Sequence, residues 1–173
     1  TTLFRSLAPL LPGDDDHAIQ TKLRMVAIFL DIMLTRRIWN FRSTAYSTMQ
    51  YAMFILTREV RRKAPEELAE LLTAKLAEDE HDFDKNPNYY WHGQNRRQIL
   101  RILARITDYL ETEAHHHGEG YMKYVTTRGQ KRYEVEHIWA NKPERHEDEF
   151  GHESDFHDWR NKIGGLLLLP KKF

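Results

Sequence analysis

Cysteine is absent from the 173 residues. Its absence excludes disulfides and every cysteine-based zinc site, so a bound metal would have to sit on His, Asp, Glu or Asn. An excess of either charge is lacking too: 26 Lys and Arg stand against 26 Asp and Glu. This balance counts against a nucleic-acid partner held by overall charge and leaves phosphate contacts to local clusters of Lys and Arg. Long apolar runs are also missing. The longest, residues 25–34, is interrupted by Asp31 and is half of the roughly 20 residues that a membrane span needs. Residues 1–12 show neither a basic leader nor a small-residue cleavage site. A soluble, cytoplasmic protein without a membrane partner is the expectation. What is present, 40% hydrophobic and 30% charged residues, is the composition of a folded chain and not of a disordered one.

Patterning within the chain is mostly helical. Residues 1–14 read as a linker that ends in Pro12-Gly13 and a run of aspartates, and the abrupt start reads as a fragment of something longer. Asp15 or Asp16 is placed to cap a helix running to about Trp39, acidic at its start and basic (Arg36, Arg37) at its end. A second helix, about 43–62, carries Tyr46, Met49, Met53, Leu56 and Val60 on one face. Pro65 suits the first turn of a third helix over 66–77. Polar residues and Pro87 make 78–91 a loop. The clearest helix, about 93–113, sets Ile99, Leu100, Leu103, Ile106 and Leu110 on an apolar face, with Arg97, Arg101 and Arg105 as a stripe on another. A connector follows over 114–130.

From Lys131 the period changes. Tyr133 to Ile138 alternates as a strand does, 141–159 is an acidic, histidine-rich loop, and 163–169 reads as a short buried strand stopped by Pro170. Lys171-Lys172-Phe173 reads as the start of one more helix. The expected fold class is therefore mainly α, with a helical domain over 15–130 followed by a small module over 131–173.

Two segments of that module carry chemistry. Glu136-His137-Ile138 ends the first strand, and Ile163-Gly164-Gly165-Leu166-Leu167-Leu168-Leu169-Pro170 makes the second, after a helix-like approach through Trp159-Arg160-Asn161. The layout resembles the ββα-metal HNH finger of GmrSD- and SspE-type restriction nucleases, whose strands read Glu-His-Ile and Ile-Gly-Asn/Gly-Leu-x-Leu-Leu-Pro. Asn95-Arg96-Arg97-Gln98-Ile99-Leu100 precedes the finger much as in the SspE proteins. The resemblance implies a metal-dependent DNA endonuclease or nickase acting in phage restriction, with an NTP-using domain on the N-terminal side and Mg²⁺ or Mn²⁺ as cofactor. It assigns the general base to His137 and a metal-ligand role to Glu136. Phosphodiester hydrolysis suits these types, since an imidazole titrating near neutrality can take a proton from water. Adjacent residues on a regular strand face opposite sides, so a twist at the strand end would be needed to bring both to one ion. Gly165 stands where many members carry Asn, and Asn161 is the candidate for the hydrogen bonds that steady the histidine. The finger reads as truncated before its final helix, which in the family supplies another ligand. The alternative is a non-catalytic helical DNA-binding or interaction module with a degenerate finger.

Other features have plainer readings beside the functional ones. Arg97, Arg101 and Arg105 suit DNA phosphates or helix-surface ion pairs equally well. His146, His152 and His157 among carboxylates read as a solvated loop before a second metal site, and His115-His116-His117 as a polar helix end. Asp31 is expected to pair with an arginine in the helical core. Trp39, Phe41, Tyr89, Tyr90 and Trp91 read as packing before base stacking.

Overall fold

A computed structural model describes residues 7–114 and 120–172 of the chain. It is mainly helical with one small antiparallel sheet near the C-terminus, and it divides into two compact units, Thr1–Pro87 and Asn88–Phe173. Among the described residues no helix is long and apolar enough to cross a membrane.

The first unit holds α1 (Asp16–Trp39), α2 (Tyr46–Val60) and α3 (Pro65–Ala77). Asp15 caps α1, its Oδ1 accepting from the Ala18 N–H at 2.7 Å, while Arg36 and Arg37 occupy the last turn. Cation and acid thus sit at the ends that the helix dipole favours. The core is built from Val26 and Phe29 of α1, Met49, Met53, Leu56 and Val60 of α2, and Leu68 and Leu72 of α3. Tyr46, expected on the apolar face of α2, is exposed. Asp31 is exposed as well and not a core residue. At 100° per residue it projects well away from Val26 and Phe29, which define the buried face. The buried charge of α1 is Lys22, only 1% exposed. Its Nζ donates to both oxygens of Asp14 at 2.9 and 2.7 Å and to the Pro9 carbonyl at 3.3 Å. Of the stretch read as a linker, residues 1–6 lie outside the described residues, and the remainder turns back onto α1 through this pair.

In the second unit, α4 (Arg96–Glu113), α5 (Tyr121–Thr126), β1 (Tyr133–His137), α6 (Glu153–Asn161) and β2 (Leu166–Pro170) follow in order. Helix α4, which the sequence reading grouped with 15–130, packs on α5 and on both strands. It buries Ile99, Ile102, Leu103 and Ala104, whereas Ile106 and Leu110 are exposed, so the packed stripe is shorter and turned relative to the expected one. Helix α5 falls in the expected connector, where Tyr124 is buried, edge-on to Tyr133 and donating its hydroxyl to Glu111. The expected histidine-rich loop contains α6. His152 caps it by accepting from the Ser154 N–H, Glu153 and Asp155 lie in its first turn, and Phe156 is its buried anchor. His115-His116-His117 lies outside the described residues.

Strands β1 and β2 pair antiparallel, with Val135 opposite Leu168, Glu136 opposite Leu167 and His137 opposite Leu166. The Lys171 N–H donates to the Arg132 carbonyl at 2.9 Å, so pairing continues where a helix was expected to open; Phe173 lies outside the described residues.

Candidate functional site

His137 ends β1 on the face it shares with Val135, opposite the buried Leu166 and Leu168. Ile138 donates its N–H to the Gly165 carbonyl at 2.9 Å, which ties the end of β1 to the turn before β2. The imidazole is half-buried for two reasons. The Trp91 ring stacks on it, with centroids 4.7 Å apart and planes 22° from parallel. On the other side Asn161, the last residue of α6, places Oδ1 2.9 Å from Nε2. An amide oxygen can only accept, so Nε2 carries the proton and Nδ1 keeps the lone pair. Burial holds the His137 pKa below its ordinary 6.5; the Asn161 bond and Glu136 oppose the shift, while the Arg160 cation adds to it. The ring is therefore a neutral base with a defined tautomer at neutral pH.

The segment that carries Trp91 is held by backbone bonds. Trp91 N–H donates to the Asn161 carbonyl at 2.8 Å, and Ile163 N–H donates to the Tyr89 carbonyl at 3.0 Å. Tyr90 and Lys162 form an isolated antiparallel bridge. Beneath them Tyr89 is fully buried, and burial pushes its hydroxyl up to about 12, so it stays neutral. The buried Asn95 fixes the turn into α4 by accepting from the His92 N–H and donating to the Tyr90 carbonyl. The stretch 89–91 was read as loop and packing, and the helix after it was expected from about 93, whereas α4 opens at Arg96. The contribution of this stretch to the site was invisible in the sequence because the partner residues lie about 70 positions away.

Gly165 explains why the amide comes from residue 161. A Cβ at 165 would lie 2.6 Å from the Arg160 carbonyl oxygen and 3.1 Å from that of Trp159. No side chain fits there, an Asn included. The close approach lets the end of α6 lie against the β2 turn, and that delivers Asn161 to His137. Arg160, also missed in the sequence, is half-buried and donates Nε to the Trp139 carbonyl at 2.9 Å, fixing its cation near the imidazole.

The remaining expected residues are placed elsewhere. Glu136 is exposed on the opposite face of β1 from His137, as strand alternation dictates. Arg97 and Arg101 are exposed on α4, whereas Arg105 lies over the Tyr121 ring at 4.6 Å and donates to the Arg101 carbonyl at 3.3 Å. His146 lies 3.0 Å from Glu149 and stacks on Phe156, His152 is engaged with Ser154, and His157 lies 3.4 Å from Glu153. Among the described residues no three His, Asp or Glu gather into a group suited to a metal ion. No protein-family model, curated protein or solved structure matches this chain.

Proposed function

We propose that this chain is the HNH-like part of a metal-dependent DNA endonuclease or nickase that hydrolyses phosphodiester bonds in phage restriction. The observation that supports it most is the pairing of the Glu136-His137-Ile138 strand with the Leu166–Pro170 strand, with His137 at its open end and Asn161 on Nε2. In this reading Nδ1 of His137 takes a proton from water, and the oxygen so activated attacks phosphorus as the P–O bond to the leaving oxygen breaks. The lowered pKa keeps the base unprotonated at neutral pH, and Asn161 accommodates the proton gained by holding the opposite N–H. Arg160 contributes positive charge beside the phosphate. Arg97 and Arg101 are available to phosphates further along the strand. Mg²⁺ or Mn²⁺ and an N-terminal NTP-using domain belong to the proposal through the resemblance alone.

The test is nicking of supercoiled plasmid by the full-length protein with Mg²⁺ or Mn²⁺. His137→Ala is expected to lower the rate by about 10²- to 10⁴-fold, the usual worth of a positioned base. An unchanged rate ends the hypothesis. A second reading, a non-catalytic DNA-binding or interaction module with a degenerate finger, is favoured by Glu136 facing away from His137. It predicts DNA binding without metal that is indifferent to changes at Glu136 and His137.

A further inference from the structure

Beside His137 a cleft of about 570 Å³ opens between the 88–91 segment and α6, within the range of roughly 300–1,000 Å³ typical of small-ligand sites. Three aromatic rings line it, Tyr90, Trp91 and Trp159, together with Asp155, Asp158 and Lys162. Trp159 is 53% and Tyr90 45% exposed, and the Tyr90 ring meets that of His92 edge-on at 5.9 Å. Lys162 holds its ammonium 3.7 Å above the centre of the Trp159 ring. The cleft and the His137 site share walls: Trp91 stacks on the imidazole and Asn161 is bonded to it.

Aromatic rings set among polar and charged side chains suit a planar heteroaromatic group, and base–aromatic stacking is the usual way a protein holds an unpaired base. The charged lining residues set which base. Asp155 and Asp158 offer only acceptors and would repel a phosphate, so the edge facing them must carry N–H donors. Guanine alone among the DNA bases presents two adjacent donor groups, N1–H and the N2 amino group, on one edge, a match for a bidentate, charge-assisted pair with a carboxylate. Lys162, the cation among the lining residues, would exchange its place over the Trp159 ring for the phosphate attached to that nucleotide. We propose that this cleft captures an unstacked guanine of a DNA strand and thereby sets which phosphate lies at His137; the second half of this statement rests on the nuclease reading, the first does not.

The experiment measures binding of the full chain, in EDTA so that no cleavage intervenes, to fluorescent thymidine 12-mers bearing one central guanine, inosine or abasic site. Anisotropy titrations at fixed salt are expected to rank guanine over inosine, which lacks the N2 amino group, and inosine over the abasic strand, with about tenfold between the extremes. Trp159→Ala should collapse the ranking, Trp159→Phe should keep it, and the double change Asp155→Asn with Asp158→Asn should remove the preference for guanine over inosine. Equal binding of the three strands by the unaltered chain, no binding of any, or a ranking that survives both Trp159→Ala and the double change overturns the proposal. The plasmid assay separates the two ideas. Guanine preference without nicking keeps the cleft and ends the nuclease reading, whereas nicking without base preference does the reverse.

Discussion

The two adjacent glycines of the β2 turn should respond to alanine in opposite directions. At Gly165 the added carbon meets the Arg160 carbonyl oxygen at 2.6 Å, with the Trp159 carbonyl oxygen at 3.1 Å and the Arg160 carbonyl carbon at 3.2 Å. All three are backbone atoms at the end of α6, so relief cannot come from a rotamer change and the helix end itself must move. Forcing extra volume into a packed contact costs about 1–3 kcal/mol. At Gly164 nothing lies within 4 Å of the added carbon and the backbone is not left-handed. There alanine should stabilise by about 0.4–1 kcal/mol by restricting the unfolded chain. Three of the four tryptophans, Trp91, Trp139 and Trp159, lie in Asn88–Phe173, so the fluorescence midpoint on heating reports mainly on that unit. At its size each kcal/mol moves the midpoint by about 4–8 °C. Gly165→Ala is expected to melt well below the unaltered chain and Gly164→Ala at or slightly above it. Because the displaced helix end carries Asn161, Gly165→Ala should also lower the His137 pKa, read from its ring carbon-bound protons by NMR. A Gly165→Ala midpoint equal to or above that of Gly164→Ala would refute the close approach and the account of Asn161 built on it.

Asn161→Ala removes the acceptor that favours the protonated imidazole, so the His137 pKa should fall further below 6.5 in an NMR titration; a rise would mean that the amide does not accept from Nε2. The sign carries into stability. A histidine whose folded pKa is depressed binds fewer protons than in the unfolded chain, so its contribution is complete above about 6.5 and is lost as pH falls through the folded value, and urea midpoints between pH 7 and 5 should fall more steeply for Asn161→Ala. Asp14 has the same sense in a lower window: the hydrogen bond from Lys22 holds its carboxyl below 3.8, so its contribution is present above that value and is lost below it. Asp14→Asn should weaken the chain at pH 7, by stranding the buried Lys22, and flatten the acid limb of the urea midpoint between pH 5 and 2; an unchanged limb would contradict the pair. Phe156→Ala deletes a ring that is 1% exposed and should cost about 3–5 kcal/mol in urea unfolding, with a cost under 1 placing Phe156 outside the packed core.

Much of the helical architecture was legible because local rules and packing agree. Asp15, the basic last turn and the Met49, Met53, Leu56, Val60 spacing each specify α1 or α2 without help from distant residues. The errors have physical causes. α6 hides in a stretch whose composition is that of a solvated loop, since a nine-residue helix with Phe156 as its one buried residue leaves almost no periodic signal. Asp31 was expected in the helical core: a carboxylate inside an apolar run looks buried, yet the run spans more than one face of α1, and the buried charge of that helix is Lys22, with Asp14 folded back over it.

The candidate site shows the same division more sharply. Alternation along β1 fixed the sides of His137 and Glu136, so their separation could be foreseen from the strand period. The partners of His137 could not. Trp91 and Asn161 reach it only because the 89–91 segment bonds to the turn after α6, and that turn is tight only because residue 165 has no side chain. Removing the Cβ at 165 and supplying the amide from 161 are therefore one structural choice: an amide at 165 would sit where the Arg160 carbonyl already is, and without that close approach Asn161 would not stand 2.9 Å from the imidazole. A Gly165→Asn chain should consequently lose the Asn161 bond without gaining a substitute, so this change is expected to weaken the histidine's placement.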